Sequence, residues 1–353
     1  MLQLDYTRGI SMENRKIKCV IWDLDNTLWD GVLVESDNVT LRKGIVEKIK
    51  ELDSRGILQS ICSKNDFDLA WSKIKDFNLS EYFIYPEISW NPKSMGIENI
   101  AKNINIGMDT LAFIDDQDFE REEVNHKFPE VLCLSDTAIE GMLEMDEMNP
   151  RFVTQDSKNR RLLYMNDIKR NKIEEEFNGT PDEFLSTLNL VFTVSKVQED
   201  DLKRVEELTV RTHQLNTTGY TYSYDELDRL SKSDDNDVFI AQLEDKYGDY
   251  GKIGVALVER KEDIWTLKLL LMSCRVVSRG VGGVMMNYIM ERAKKANVRL
   301  VAEFLPTERN RMMYITYKFN GFKEVKKDEE KVLFEADLNN IKPIPEYIKF
   351  VEK

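Results

Sequence analysis

The chain has 353 residues, 42% hydrophobic and 32% charged, which is length enough for two domains with a core each. A net charge of −14 leaves no domain-wide basic face for phosphates, so nucleic acid is not an expected partner. No run of eighteen apolar residues occurs and the start, MLQLDYTRGISMENRKIK, lacks an apolar signal core, so neither a membrane span nor a leader is expected.

Residues 1–15 read as a tail, with Met12 as an alternative start. Residues 16–135 then alternate strand and helix signals in the manner of a parallel α/β sheet. IKCVIWD (17–23) is an apolar, β-branched run ending in acid. Ile45, Ile49 and Leu52 follow at helical spacing, with Gly56 as the stop. ILQSICS (57–63) reads as the second strand, and Asp66 is placed to cap a helix carrying Ala70, Ile74 and Phe77. A short strand near Phe83–Tyr85 precedes a helix over 93–104; TLAFIDD (110–116) is the next strand, and Val131 to Leu134 the last. Residues 136–189 are polar and helix-prone, broken at Asn149-Pro150 and Gly179-Thr180-Pro181, and read as a helical connector. Its basic residues Lys158, Arg160, Arg161, Lys169 and Arg170 form either a solvated helix face or a site for an acidic partner. Over 190–353 the pattern changes. The strand VFTVSKV, helices at 200–212 and 223–232 and strands around 238–244, 252–260 and 263–272 lead to a long helix at 281–296. Strand LVAEF (300–304), a helix at 309–318 and a strand pair around 322–336 follow, as in an α+β domain with a mostly antiparallel sheet. Cys19, Cys62, Cys133 and Cys274 lack CxxC spacing, which argues against zinc and disulfides and for a reduced, cytoplasmic setting.

Asp23-Leu24-Asp25-Asn26-Thr27 follows directly on the first strand. Parallel strands end at the sheet edge where ligands bind, so both carboxylates emerge there. Asp23 is placed to attack phosphorus, and Asp25, two residues on, to exchange a proton with the leaving group or water. A carboxylate approaching phosphate meets like charge, so the site needs cations, and Mg2+ on hard oxygens serves this. Asp115 and Asp116 end a later strand at the same edge and complete the metal site, while Lys93 and Ser63 hold the phosphoryl group.

These elements, DLDNT, Ser63 in ICSKND, Lys93, and Asp115-Asp116 in FIDDQ, resemble the four motifs of the haloacid dehalogenase (HAD) superfamily. The resemblance implies a Rossmann-like parallel sheet with Asp23 as aspartyl-phosphate nucleophile and Asp25 as acid/base. It makes Ser63, Lys93 and Thr27 phosphate ligands. Magnesium falls to Asp23, Asp115, Asp116 and the backbone carbonyl of Asp25. The short path from Thr27 to the next helix leaves no room for a large cap, which suits a bulky or protein-borne substrate.

A narrower resemblance rests on VIWDLDNTLWDGV, ICSKND, FIDDQDFERE, PDEFLSTLNL, RVEELTVRTHQLNTT and LMSCRVVSRGVG. Together, over residues 16–340, these resemble the FkbH-like family, in which an HAD domain is joined to a GNAT acetyltransferase-like domain. That implies an enzyme that takes phosphate from 1,3-bisphosphoglycerate and loads the glyceryl (or a related acyl) group onto an acyl carrier protein as a thioester, for polyketide or similar biosynthesis. Cys62 is then either the thiol that accepts glyceryl or a packed strand residue facing away, since strand neighbours point to opposite faces. Arg279-Gly280-Val281-Gly282-Gly283 resembles the GNAT phosphate loop at a helix start. Val284 stands where that loop has Gly or Ala, so a carrier's phosphopantetheine arm replaces CoA as the expected ligand. Asn310, Tyr314 and Gly321-Phe322 fit the later GNAT pattern, the aromatic pair fitting a core equally. His213, in THQLNTT, has a hydrogen-bonding or structural role, and Asp30 and Val34 narrow or recharge the entrance after DLDNTLW. Two other functions fit the same residues: an HAD phosphatase of a small metabolite with a structural second domain, and a non-catalytic scaffold that docks a carrier protein.

Overall fold

The computed structural model describes residues 15–36 and 38–353. The expected tail to residue 14, Met12 included, lies outside them. The chain divides into two compact units between Met165 and Asn166.

In the first unit β1 (Cys19–Trp22) leads through the two-residue strands β2 (Trp29–Asp30) and β3 (Thr40–Leu41) to α1 (Ile45–Ser54) and β4 (Leu58–Ser63). Then come α2 (Phe67–Asp76), β5 (Glu87–Ile88), α3 (Lys93–Ile104), β6 (Leu111–Asp115), α4 (Asp118–Lys127) and β7 (Leu132–Ser135). The sheet order is β5-β4-β1-β6-β7, and each pairing is parallel. Every residue of β1, β4 and β6 is buried, as in parallel strands covered on both faces. Val20, Trp22, Ile61 and Ile114 form the core with Ile45, Ile49 and Leu52 of α1. Residues 23–44, with the β2–β3 pair, are all that lies between β1 and α1, so no large cap is inserted there.

The stretch read as a connector does not behave as one piece. Ile139, Met142 and Met148 join the first core, and Ile17 N donates to Glu147 O at 2.9 Å. The unit boundary falls within α6 (Arg160–Glu175), which follows the single turn α5 (Gln155–Lys158), whereas α7 (Pro181–Thr187) places Phe184 and Leu185 in the second core. The basic residues divide as well. Lys158 and Lys169 are exposed, as a solvated face requires. The arginines are internal anchors, which neither sequence reading foresaw. Arg160 donates to Gly56 O at 2.7 Å, Arg161 pairs with Asp53 at 3.0 Å, and buried Arg170 grips Asp245 through two bonds of 2.8 and 2.9 Å while stacking on Tyr250. Spacing alone does not separate a solvated arginine from one clasped by distant acids.

The second unit runs β8 (Leu190–Lys196), α8 (Leu202–Arg211), α9 (Tyr224–Ser231), β9 (Asn236–Asp245), β10 (Gly248–Arg260) and β11 (Ile264–Met272). It continues with α10 (Val281–Lys295), β12 (Arg299–Phe304), α11 (Arg311–Phe319), β13 (Phe322–Lys327), β14 (Val332–Ala336) and β15 (Ile348–Glu352). The order β13-β14-β12-β11-β10-β9-β8-β15 is antiparallel except for the parallel pairs β11–β12 and β15–β8. Strand alternation sends Val255, Leu257, Leu269 and Leu271 to the face under α8 and α9. Ala256, Val258 and Leu270 go to the face packed with Val281, Met285 and Ile289 of α10. The edge strand β15 lies beyond the last strand read from the sequence. The expected fold class, a parallel α/β sheet without a large cap followed by an α+β unit, is the one observed. No helix among the described residues is long and apolar enough to cross a membrane.

Candidate active site

Register builds the site. Trp22 at the end of β1 lies level with Ile61 of β4 and Ile114 of β6, so the next residues, Asp23, Cys62 and Asp115, reach the carboxyl edge together. Asp23 N donates to Ile114 O at 2.9 Å, extending the ladder to the last moment. Lys93, the first residue of α3, turns its ammonium into this edge. Nζ donates to Asp23 Oδ1 in a short contact, to Asp115 Oδ2 at 2.9 Å and to the carbonyl of Cys62 at 2.9 Å. All three side chains are buried, Lys93 to 3% exposure. Burial favours the neutral form of each group, yet the two carboxylates push the Lys93 ammonium above its ordinary value, so it is charged. Burial pushes Asp23 up to about 6; Lys93 opposes that shift and Asp115 reinforces it.

Oxygens of Asp23, Asp115 and Asp116 lie within 4.8 Å of one another, the one group of three such ligands among the described residues. Asp116 Oδ1 is buried without a hydrogen-bond partner, and burial followed by Asp115 raises this carboxyl. One lysine therefore faces three acids, and the donor set suits a hard divalent cation.

Asp25 stands just outside this group. Its Oδ1 accepts from Trp29 Nε1 at 2.8 Å and Leu33 N at 3.1 Å, and its Oδ2 from Asn65 Nδ2 at 3.0 Å. Asn26, the residue after Asp25, takes φ 51°, a left-handed turn that asparagine tolerates, and bends the chain away just past the two acids. Trp29 and Asn65 were not singled out in the sequence, although both sit inside quoted blocks, DLDNTLW and ICSKND. Two further residues went unread: Arg121 Nη1 donates to Asp115 O at 2.6 Å, and Glu123 accepts from Ser94 N at 3.0 Å, capping α3 beside Lys93. Ser63 is buried at the end of β4, at the same edge. Thr27, expected among the phosphate ligands, is buried and accepts from Asp116 N at 3.0 Å, tying the loop after β1 to that after β6. Asp30 is paired with Arg42 at 3.4 Å, and Arg42 also meets Asp136 at 2.8 Å, so the charge placed at the entrance is offset; Val34 is exposed.

Cys62 takes the packed placement of its two readings. Its thiol lies against Lys93 O at 3.5 Å, and a methyl at Gly96 of α3 would fall 2.6 Å from Sγ. Burial raises the thiol to about 12, so a thiolate is strongly disfavoured. Alternation sends this side chain under α3 rather than out of the edge.

In the second unit the Arg279–Gly280 end of the expected phosphate loop is covered from within. Arg279 is buried, bound to Glu174 at 2.7 Å and set over the ring of Phe184. Gly280 needs its φ of 70°, and a methyl there would meet the hydroxyl of Tyr347 at 2.7 Å. Space is open around Gly282, and Gly283 faces Asn320. Asn310 is buried in backbone contacts, Tyr314 bonds Glu324, and Phe322 belongs to the core.

No protein-family model matches the chain, and no curated protein matches it. Similar solved structures include the N-terminal part of a Bacteroides fragilis protein containing a phosphatase domain, complexed with Mg. Identity is 28% over 43% of this chain and 40% of that one, at a TM-score of 0.31. The chain therefore spans less than half of that protein's length. The ribosomal-protein-S18-alanine N-acetyltransferase from Escherichia coli is similar at 15% identity over 41% of this chain and 92% of its own, TM-score 0.33. The PaiA N-acetyltransferase from Thermoplasma acidophilum, in complex with coenzyme A, gives 15% identity over 41% and 98%, TM-score 0.31.

Proposed function

We propose that the first unit is a magnesium-dependent HAD-type phosphoryl-transfer enzyme, and that the whole chain serves to load a glyceryl or related acyl group onto an acyl carrier protein. One observation carries the reading: a buried lysine clasped by Asp23 and Asp115, with Asp116 completing a group of acids at the carboxyl edge of a parallel sheet. Such a site holds a cation and an anion at once. Magnesium on Asp23, Asp115, Asp116 and the carbonyl of Asp25 would supply the charge that lets a carboxylate approach a phosphate.

The two phosphates of 1,3-bisphosphoglycerate call for different chemistry. If Asp23 attacked phosphorus at the acyl phosphate, the acyl group would leave as a carboxylate and its activation would be lost. Asp23 therefore acts on the phosphate ester. The Asp23 oxygen bonds to phosphorus, the ester P–O bond breaks, and Asp25 gives its proton to the departing alkoxide. Water, relieved of a proton by Asp25, then cleaves the aspartyl phosphate. At the acyl phosphate the carrier's own thiolate attacks the carbonyl carbon, the bond from that carbon to the bridging phosphate oxygen breaks, and inorganic phosphate leaves with that oxygen. Cys62, packed under α3, takes no part in this scheme.

Access supports a protein-borne substrate. Segments following the strands at this edge expose Trp90 to 66% and Phe119 to 71%, along with Val34, Phe67 and Met95. The proposed setting is the cytoplasm, which suits four cysteines without CxxC spacing. Intact-protein mass spectrometry of a carrier incubated with the enzyme, magnesium and 1,3-bisphosphoglycerate tests the reading. A carrier heavier by one glyceryl group is the expected result. Phosphate released with no carrier acylated leaves only a phosphatase, and no phosphate released removes the proposal.

A further inference from the structure

The second unit resembles an acyltransferase in sequence, and two of its strands leave room for a ligand between them. β11 and β12 pair only through Ile264–Leu267 and Arg299–Ala302, whereas β11 runs on to Met272 and β12 to Phe304. An amide-bearing chain such as pantetheine, laid between the unpaired stretches, would complete both ladders.

The geometry points to a cleft closed by the protein itself, so that the second unit takes neither acyl-CoA nor a phosphopantetheine arm between these strands. Residues 215–217 already lie there. Thr217 N donates to Leu270 O at 3.0 Å, and Thr217 Oγ1 accepts from Leu270 N at 3.0 Å. Met272 N donates to Leu215 O at 3.0 Å, and Leu305 N, just past β12, to Thr217 O at 3.0 Å. The segment thus bonds to both edges, as an inserted ligand would. Asn310 locks it: Nδ2 donates to Asn216 O at 3.0 Å and Leu305 O at 2.9 Å, and Oδ1 accepts from Thr307 N at 2.8 Å. Asn216, Thr217 and Asn310 have no exposed surface. Expelling the segment would strand these polar groups or require water for each. At the helix end a second, independent feature agrees, since Arg279 is neutralised by Glu174 and Gly280 is covered by Tyr347.

The coenzyme that the resemblance implies does not fit this cleft. Acyl activation must then come from the substrate's own acyl phosphate, and the thiol from a partner rather than from a coenzyme held in this cleft. The inference stands independently of Asp23, and either can fail alone.

Hydrogen exchange on the full chain, with and without acetyl-CoA or pantetheine at about 1 mM, tests it alongside equilibrium dialysis of labelled acetyl-CoA. The amides of Thr217, Leu270, Met272 and Leu305 should exchange slowly and be unaffected by either compound. Retention of coenzyme with those amides unchanged places it outside the cleft and supports the closure. Fast exchange at Thr217 and Leu305 without ligand, or coenzyme binding that alters exchange over 215–217, overturns it. Asn310→Ala supplies the control. Exchange at Thr217 and Leu305 should quicken at least tenfold while β9 stays protected and phosphate release is unchanged; no change at Thr217 and Leu305 contradicts the locking role.

Discussion

The two candidate sites, one in each unit, treat buried charge in opposite ways. At the carboxyl edge of the first sheet, three acids face one lysine, Asp116 Oδ1 has no partner, and Asp23 is lifted to about 6. At the corresponding candidate loop of the second, Arg279 pairs with Glu174, Gly280 lies against Tyr347, and the gap between β11 and β12 holds residues 215–217 of the same chain. Buried acids gathered in excess of the cations beside them suit a site that a bound cation completes, so the difference favours the first unit as the candidate seat of chemistry. It also shows why a glycine-rich loop signals less than a set of unsatisfied acids.

The comparison breaks first at Asp25. Asp25→Asn should lower phosphate release by about 10²–10⁴-fold, the usual range for a lost proton-transfer group, and wild-type turnover would show that its three hydrogen bonds serve only structure. Lys93→Met sharpens the charge argument. With Asp23 and Asp115 left buried and unpaired, stability at neutral pH in chelator should fall by about 3–5 kcal/mol in urea unfolding, and magnesium should restore part of it. An unchanged midpoint would mean that the lysine compensates nothing.

Linkage gives the next effect. The Asp23 carboxyl has a folded value of about 6 against an ordinary 3.8. Below about pH 4 it is protonated in both the folded and the unfolded chain. Between about 4 and 6 the unfolded chain gives up a proton that the folded one keeps, so the metal-free protein loses stability as pH rises, and the loss is complete above 6. Asp23→Asn removes that slope. Relative to wild type in chelator, the variant should gain on the order of 2–3 kcal/mol between pH 4 and 7, and parallel stability curves would refute the shift. The smallest effect belongs to Cys62→Ser, which should cost about 1–2 kcal/mol of stability and leave carrier loading intact, because the thiol is packing. A carrier that is no longer loaded by this variant would return the thiol to the reaction.

Much of this was legible in the chain. Short apolar runs ending in acid, at DLDNT and FIDD, fix both strand and site, because a parallel strand has one edge at which acids converge. Asn65 and Trp29 were harder to read, since their role depends on where the chain turns after Asp25, and Asn26 makes that turn through a left-handed residue. Arg170 and Arg279 look like surface charge in sequence, and only distant acids, Asp245 and Glu174, reveal them as internal. Segment 215–217 carried no periodic signal at all. Its strand-like pairing is made by β11 and by the end of β12, far along the sequence, so local pattern could not announce it.

The central claim is that Asp23 is the phosphate-accepting group of a magnesium-dependent site. Phosphate release from 1,3-bisphosphoglycerate by wild type and Asp23→Asn, each with magnesium and then with excess chelator, tests it most directly. Carrier protein is left out so that no thiol releases the acyl phosphate, an enzyme-free blank corrects for the compound's own hydrolysis, and circular dichroism checks the variant's fold. The expected result is turnover by wild type with magnesium alone, with the folded variant at the blank rate in both conditions. Turnover by a folded Asp23→Asn protein, or undiminished wild-type turnover in chelator, would contradict the claim.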